Sequence, residues 1–451
     1  MGSNVRRRDL LMGLAAFLPL RSLLADTWPQ FRGAGARGIG PDDSRLPEIW
    51  NSRENVLWCV DIPGSGWASP VVWNNSIFIH TNVNAAGEGA AHKGMSGGRI
   101  QYYPPTEEHR SMALSIDFET GKTQWATELH RGVPKPSRHP KNSYASETPA
   151  TDGQRVYFHI GDLATYCLDM KGKILWTKEW PLQATRYGYG TGSSPVLHES
   201  RLYILKDNEE ESYLIALDKL TGSEIWRVKR DEPTTWSTPY IWQNTQRTEI
   251  VTSGSRKIRS YDLNGKLLWE ITRLATLAVP TPFSDNGLLY VTSGYPTDPT
   301  SPVYAIRPGA SGDITPKSSE TSSDYIAWSL TQGGPIDPSS MVYKGKYYSL
   351  TDAGFLLCHD AKTGKEVYGK QRLDPASGTF TTSPWAYNDR IFCLSEDGDT
   401  YVVQAGSEFK LLRKNSIGDA CMASPAIAGG SLILRTYTKL YRIGTKGAEV
   451  D

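Results

Sequence analysis

One phrase returns along this chain at a nearly fixed interval, and it constrains the fold more than any other feature. Its copies are Ala68-Ser69-Pro70-Val71, Glu147-Thr148-Pro149-Ala150, Ser193-Ser194-Pro195-Val196, Ser237-Thr238-Pro239-Tyr240, Pro280-Thr281-Pro282-Phe283, Thr382-Ser383-Pro384-Trp385 and Ala423-Ser424-Pro425-Ala426, with a weaker eighth at Asp337-Pro338-Ser339. From Pro149 onward the prolines stand 46, 44, 43, 56, 46 and 41 residues apart, while the first interval, Pro70 to Pro149, is 79 and must hold an insertion. Units of this size cannot bury their apolar faces alone, so neighbours must stack on one another.

A second phrase closes most units. Its best copy is Ala216-Leu217-Asp218-Lys219-Leu220-Thr221-Gly222-Ser223-Glu224-Ile225-Trp226, echoed at Asp117 to Trp125, Asp169 to Trp176, Asp262 to Trp269 and Asp360 to Tyr368. Asp-x-x-Thr-Gly between apolar stretches is hairpin-turn chemistry: the glycine supplies a positive φ and the aspartate bonds its own backbone. The Trp then falls at a fixed place on an outer strand, where its large surface can pack between neighbours. Between the two phrases lie alternating runs such as Arg201-Leu202-Tyr203-Ile204-Leu205, which read as strands. Each unit is therefore a four-stranded antiparallel sheet opened by Ser/Thr-Pro, proline being tolerated at a strand's first residue. The last unit lacks an outer strand, and Val56-Leu57-Trp58-Cys59-Val60 lacks a unit. Pairing the two predicts an eight-bladed, all-β propeller over 51–445 with no open edge. Inserts are expected at 82–110, as a long loop or a partly ordered insert, and at 308–324, while 26–50 forms an N-terminal extension lying against the ring.

The first 25 residues read as an address. Arg6, Arg7 and Arg8 precede a short apolar run from Leu10 to Leu20, and Ala25 closes it, a pattern matching a cleaved twin-arginine export signal. The run is too short to span a membrane, so no integral membrane segment is expected in the mature protein, which would be periplasmic or secreted. Cleavage removes four arginines and one aspartate and takes the formal charge from +1 to −2. A near-neutral surface gives no electrostatic reason for nucleic-acid binding. The five scattered cysteines read mostly as buried small hydrophobes, with room for one disulfide. His80, His92, His109, His130 and His139 lack metal-ligand spacing and read as solvated loop residues. Neither His-Glu-x-x-His nor Cys-x-x-Cys occurs, and Thr120-Gly121-Lys122-Thr123 is a hairpin turn, not a phosphate loop.

The phrase at 216–226 resembles the tryptophan-docking repeat of quinoprotein dehydrogenases and of the outer-membrane assembly lipoprotein built on the same propeller. The resemblance covers about residues 50–445. Trp28-Pro29-Gln30-Phe31-Arg32-Gly33 is similar to the opening of exported bacterial quinoprotein-like repeat proteins. For the dehydrogenases, the resemblance implies pyrroloquinoline quinone (PQQ) over the channel, with calcium, an aspartate base, a stacking Trp and commonly a vicinal disulfide. This chain has no Cys-Cys pair. The repeat serves enzymes and scaffolds alike, so activity must be argued from the site.

A site on such a ring lies where the loops entering the inner strands and those joining second to third strands meet at one mouth. The first set supplies Trp67, Lys141, Asn142, Tyr144, Glu147, Arg186, Tyr187, Tyr189, Trp236 and Phe380; the second supplies Asp162, Asp207, Asn208, Glu209, Asp352, Glu396, Asp397 and Asp399. Asp162 and Asp352 read as simple turn residues. Aromatic, carboxylate and basic groups together suit a polar ligand, and the acidic run at Asp207 and Glu209 makes these two the weak candidates for a calcium site. The expected function is a non-catalytic binding scaffold, a monomer, taking a protein, peptide or polysaccharide partner at the channel. The alternative is a PQQ-dependent oxidoreductase acting on an alcohol or sugar.

Overall fold

The computed structural model describes residues 27–94, 102–272, 274–295, 297–317 and 320–445. The export signal expected over 1–25 lies outside the described residues. Eight antiparallel sheets follow one another along the chain, and blade 3 shows the plan: Val196–His198, Arg201–Lys206, Ser212–Asp218 and Glu224–Arg230, paired in sequence order. Numbering runs from blade 1, whose inner strand is Val71–Trp73, to blade 8, whose inner strand is Ala426–Ala428. Blade 8 takes its outer strand from the other end of the chain: Val56–Asp61 pairs antiparallel with Lys439–Ile443, Cys59 facing Tyr441. The closure is tied into blade 1 as well, because Trp58 Nε1 and Arg442 Nη1 both donate to the Phe118 carbonyl, at 2.9 and 3.1 Å.

The second phrase explains how blades lock. Asp218 Oδ1 accepts from the backbone of Leu220 and Thr221, both at 2.9 Å, and Gly222 turns the chain at φ +71°. Trp176 of blade 2 lies on that turn, its Nε1 donating to the Lys219 carbonyl at 3.1 Å. A Cβ on Gly222 would stand 2.7 Å from the Trp176 ring. The glycine is thus needed twice, for its φ and for the indole above it. Trp125, Trp226 and Trp328 dock in the same way on the turns carrying Gly172, Gly265 and Gly364. Trp269 of blade 4 is the exception: it is fully buried and donates to Glu249 within its own blade at 2.7 Å. Blade 5 offers it no such turn, because the 308–324 insert stands there and adds Gly312–Asp313 to blade 4 as a parallel fifth strand.

Two sequence expectations need correction. The insert placed at 82–110 is shorter, since strands Ser76–Asn84 and His109–Asp117 run into it and pair up to Asn84 with His109. Ladder hydrogen bonds need no apolar alternation, so the polar residues at these ends hid the pairing. The eighth copy of the first phrase is Ser339-Ser340-Met341, two residues later than read, with Ser340 in the proline's place ahead of strand Met341–Tyr343.

The extension crosses the lower end of the channel. Thr27–Trp28 pairs with the inner strand of blade 1, Pro29 accepts from Thr151 of blade 2, and Arg32 Nη2 donates to the Ser340 carbonyl of blade 6 at 2.8 Å. Arg37 forms an ion pair with Asp285 of blade 5, and Gly38 and Gly40 bond Ala386 of blade 7. The segment stoppers the ring from below.

Candidate functional site

Ser/Thr of the first phrase forms the waist of the channel. Ser69, Thr148, Ser194, Thr238, Thr281, Ser339, Ser383 and Ser424 all line one axial cavity of about 400 Å³. At six junctions the backbone N–H of one donates to the hydroxyl of the next, at 2.9 to 3.2 Å: Ser69 to Thr148, Thr148 to Ser194, Ser194 to Thr238, Thr281 to Ser339, Ser339 to Ser383, and Ser383 to Ser424. An inner strand's first N–H has no partner in its own sheet, and a short hydroxyl side chain in the next blade supplies one. The hydroxyl in every copy carried this signal.

Above the waist the blades differ. Phe31 lines the cavity from the extension, and Trp67, Tyr189 and Trp236 line its walls. Trp67 packs against Tyr437, ring centroids 4.9 Å apart, and Trp236 Nε1 donates to the Gly190 carbonyl at 2.8 Å. Tyr187, at φ +54°, packs on Tyr189 at 5.5 Å, and the Arg186 guanidinium lies over the Tyr187 ring. Asn142 Nδ2 ties its loop to the carbonyls of Tyr189 and Thr191.

Charge is concentrated on the opposite wall. Lys141 reaches across from the loop between blades 1 and 2, its Nζ 2.7 Å from Glu396 Oε1 and 3.8 Å from Asp337 Oδ2. Burial opposes the Lys141 charge, but Asp337 and Glu396 outweigh it and raise its pKa. Glu396, 1% exposed, also accepts from Thr381 and the Gly94 N–H, while neighbouring Asp397 pairs with Lys93 at the surface. Asp352 is no simple turn residue: its oxygens accept the N–H groups of Ile336 and Asp337, at 2.8 and 3.0 Å. Burial, then the charge of Asp337, pushes its pKa up to about 8. Burial likewise raises Asp337, against the pull of Lys141.

Other expected site residues fall elsewhere. Asp207 and Arg230 form a bidentate pair at 2.8 and 3.0 Å, both side chains fully buried, and Thr235 fills the carboxylate further. Asn208 caps its loop through Glu210 and Glu211, and Glu209 accepts from Thr234. The calcium candidates Asp207 and Glu209 are therefore spent on protein donors. Tyr144 donates to the Pro136 carbonyl, and Glu147 is buried behind Thr191 and the Gly161 N–H; both line a second cavity instead. Asp162 belongs there too, where burial raises its pKa to about 6. Phe380 is core, and Asp399 pairs with Lys414. Nor are the histidines uniformly solvated: His80 and His109 are buried in blade 1, bonded to Ser111 and Asn82. Of the five unpaired cysteines four are buried, and Cys59 is exposed.

The relation to known proteins agrees with this architecture. The family model for the outer membrane protein assembly factor BamB matches residues 210–306, which include the best copy of the second phrase at 216–226. The chain is a β-propeller of eight blades that matches this model over part of its length. BamB from Moraxella catarrhalis superposes at a TM-score of 0.51 with 10% identity, covering 80% of this chain and 99% of that one. A europium-containing methanol dehydrogenase gives 0.59 with 11% identity, covering 93% and 98%. A quinohemoprotein alcohol dehydrogenase from Comamonas testosteroni gives 0.55 with 12% identity, covering 96% and 82%. At such identities the likeness is one of fold, shared by an assembly factor and by oxidoreductases. No curated protein matches the chain in sequence.

The cavity's donor set does not fit PQQ with calcium. That quinone carries three carboxylates, whereas Lys141 is the one Lys or Arg among the described residues lining this propeller's cavity, and it is already paired with acids. Among the described residues no group of three or more His, Cys, Asp or Glu side chains is arranged to hold a metal. No helix among them is long and apolar enough to cross a membrane.

Proposed function

We propose that this protein is an exported, non-catalytic binding propeller that takes a short extended segment of a partner protein, polar or basic in character, into its axial cavity. The carrying observation is the form of that cavity. It is stoppered below by residues 27–40 and walled by Trp67, Tyr189 and Trp236 on one side and by Asp337 and Asp352 on the other, with a single lysine that Glu396 and Asp337 hold. Rigid aromatic walls give contact area at low entropic cost, and buried acids favour a donor-bearing guest. The volume of about 400 Å³ admits a few residues and no folded domain. The match to the model of an assembly factor supports a protein partner. The arginine-led apolar segment ending at Ala25 supports export to the periplasm.

The test is selection of displayed random peptides on the mature chain, followed by titration of the winners against its tryptophan fluorescence. Enrichment of Lys- or Arg-containing peptides that quench the signal is expected, with binding lost in Trp236→Ala. Peptides that bind Trp236→Ala equally well would place the site elsewhere. Dye reduction on adding PQQ, calcium and an alcohol or sugar would overturn the non-catalytic reading.

A further inference from the structure

A second cavity, of about 370 Å³, lies between blades 1 and 2 under the segment 132–144 and shares only Thr191 with the axial one among the described lining residues. Blade 1 contributes His109 and His130, blade 2 contributes Asp162, Tyr166 and Trp180, and Glu147 stands between them.

Its hydrogen-bond accounts do not close, and they fail in one direction only. Among the described lining residues, two carry a buried side-chain atom without a partner, Asp162 Oδ2 and His109 Nε2. The Asp162 side chain is 6% exposed; the Gln183 N–H donates to it, but Lys206 Nζ stops 4.0 Å from Oδ1 and donates to the Gly161 carbonyl. At His109, Nδ1 meets Asn82 Oδ1, an oxygen that only accepts, so the proton sits on Nδ1 and Nε2 offers a lone pair. Both orphans are acceptors.

Charge is unbalanced in the same sense. Two buried carboxylates, Glu147 and Asp162, face one buried ammonium, Lys206, which packs 5.5 Å from the Trp180 ring centroid. Around the rim, Arg138 is bonded to the Asn142 carbonyl and stacked on Tyr144, while Lys135 and Glu179 are exposed. Burial, and then the charge of Arg138, lower the pKa of His109 and disfavour its charged form. A guest must therefore bring N–H donors and positive charge. At roughly 30 Å³ each, the share of a water, the space holds about a dozen non-hydrogen atoms.

We propose that this cavity is a second ligand site, independent of the axial one, for a small organic cation bearing several N–H donors, held by Asp162 and His109. The experiment is isothermal titration of the mature chain with putrescine and agmatine, and with 1,4-butanediol as the neutral counterpart. Saturable binding of at least one amine is expected, with butanediol at least tenfold weaker. Asp162→Asn should weaken the amine at least tenfold, and Leu163→Trp, which sets an indole into the space from a lining residue that is neither acceptor, should abolish binding. Circular dichroism and melting establish that each variant is folded, and either variant alone suffices if the other is not. Equal binding of butanediol, unchanged affinity in a folded variant, or no binding of either amine would overturn the proposal.

Discussion

The rim and the mouth of this ring are built from the same repeats on opposite rules. Around the rim, Trp58, Trp125, Trp176, Trp226 and Trp328 each give their indole N–H to a carbonyl of the next blade's turn. At the mouth no two blades repeat a residue set: blade 2 buries Asp162, blade 3 pairs Asp207 with Arg230, and Asp337 before blade 6 and Glu396 of blade 7 meet a lysine from across the channel. Interfaces between like units ask for one solution each time, whereas a ligand meets the mouth only once. Departures from the repeat, not the repeat, mark where specificity resides.

The contrast has one built-in exception, and the largest predicted effect tests it. Asp207→Ala leaves Arg230 buried without its counter-charge and should lower stability by about 3–5 kcal/mol, read from urea unfolding. A loss under about 1 kcal/mol would return Asp207 to the candidate ligands. At the rim, Gly222→Ala places a methyl against Trp176 at a positive φ, for an expected loss of about 2 kcal/mol. In Trp176→Ala the same substitution should cost less, since the clash is gone; simple additivity would break the docking account.

The mouth should also respond to pH. Asp352 titrates near 8 in the folded chain, raised from about 3.9 when unfolded. The folded state therefore holds the proton more tightly, and the stability this group contributes is complete below about pH 4 and lost as pH rises through about 8, with a slope of at most about 1.4 kcal/mol per unit. Melting temperature against pH should show the decline in the parent and a flatter profile in Asp352→Asn. The smallest effects mark the mouth as a surface for ligands: Tyr187→Gly relieves a positive φ and should change stability by no more than about 0.5 kcal/mol, yet weaken peptide binding. A chelator should leave the melting temperature where it was, since Asp207 and Glu209 are engaged by Arg230 and Thr234.

Periodicity made the ring legible from sequence. The spacing of Ser/Thr-Pro, the Asp-x-x-Thr-Gly turn and the orphan strand at Trp58 are local signals whose consequence, stacking and closure, is forced on units too small to bury themselves. Where the signal was weak the reading slipped, as at Ser339-Ser340 without its proline and at the polar strand ends near Asn84 and His109. The site was half legible. Loop position put Trp67, Lys141, Asn142, Tyr189 and Trp236 together, and these five line the axial cavity, while Glu396 pairs with Lys141.

What sequence determined, then, is the architecture, because one repeated unit has one way to stack. Which carboxylates are spent and which stand open was decided only by the tertiary structure. Asp207 and Asp352 look alike on paper, two acids in loops between second and third strands, yet one meets Arg230 of its own blade and the other meets Asp337. The charge nearest to an acid in space is set by how segments far apart in the chain come together, and local pattern carries no record of it.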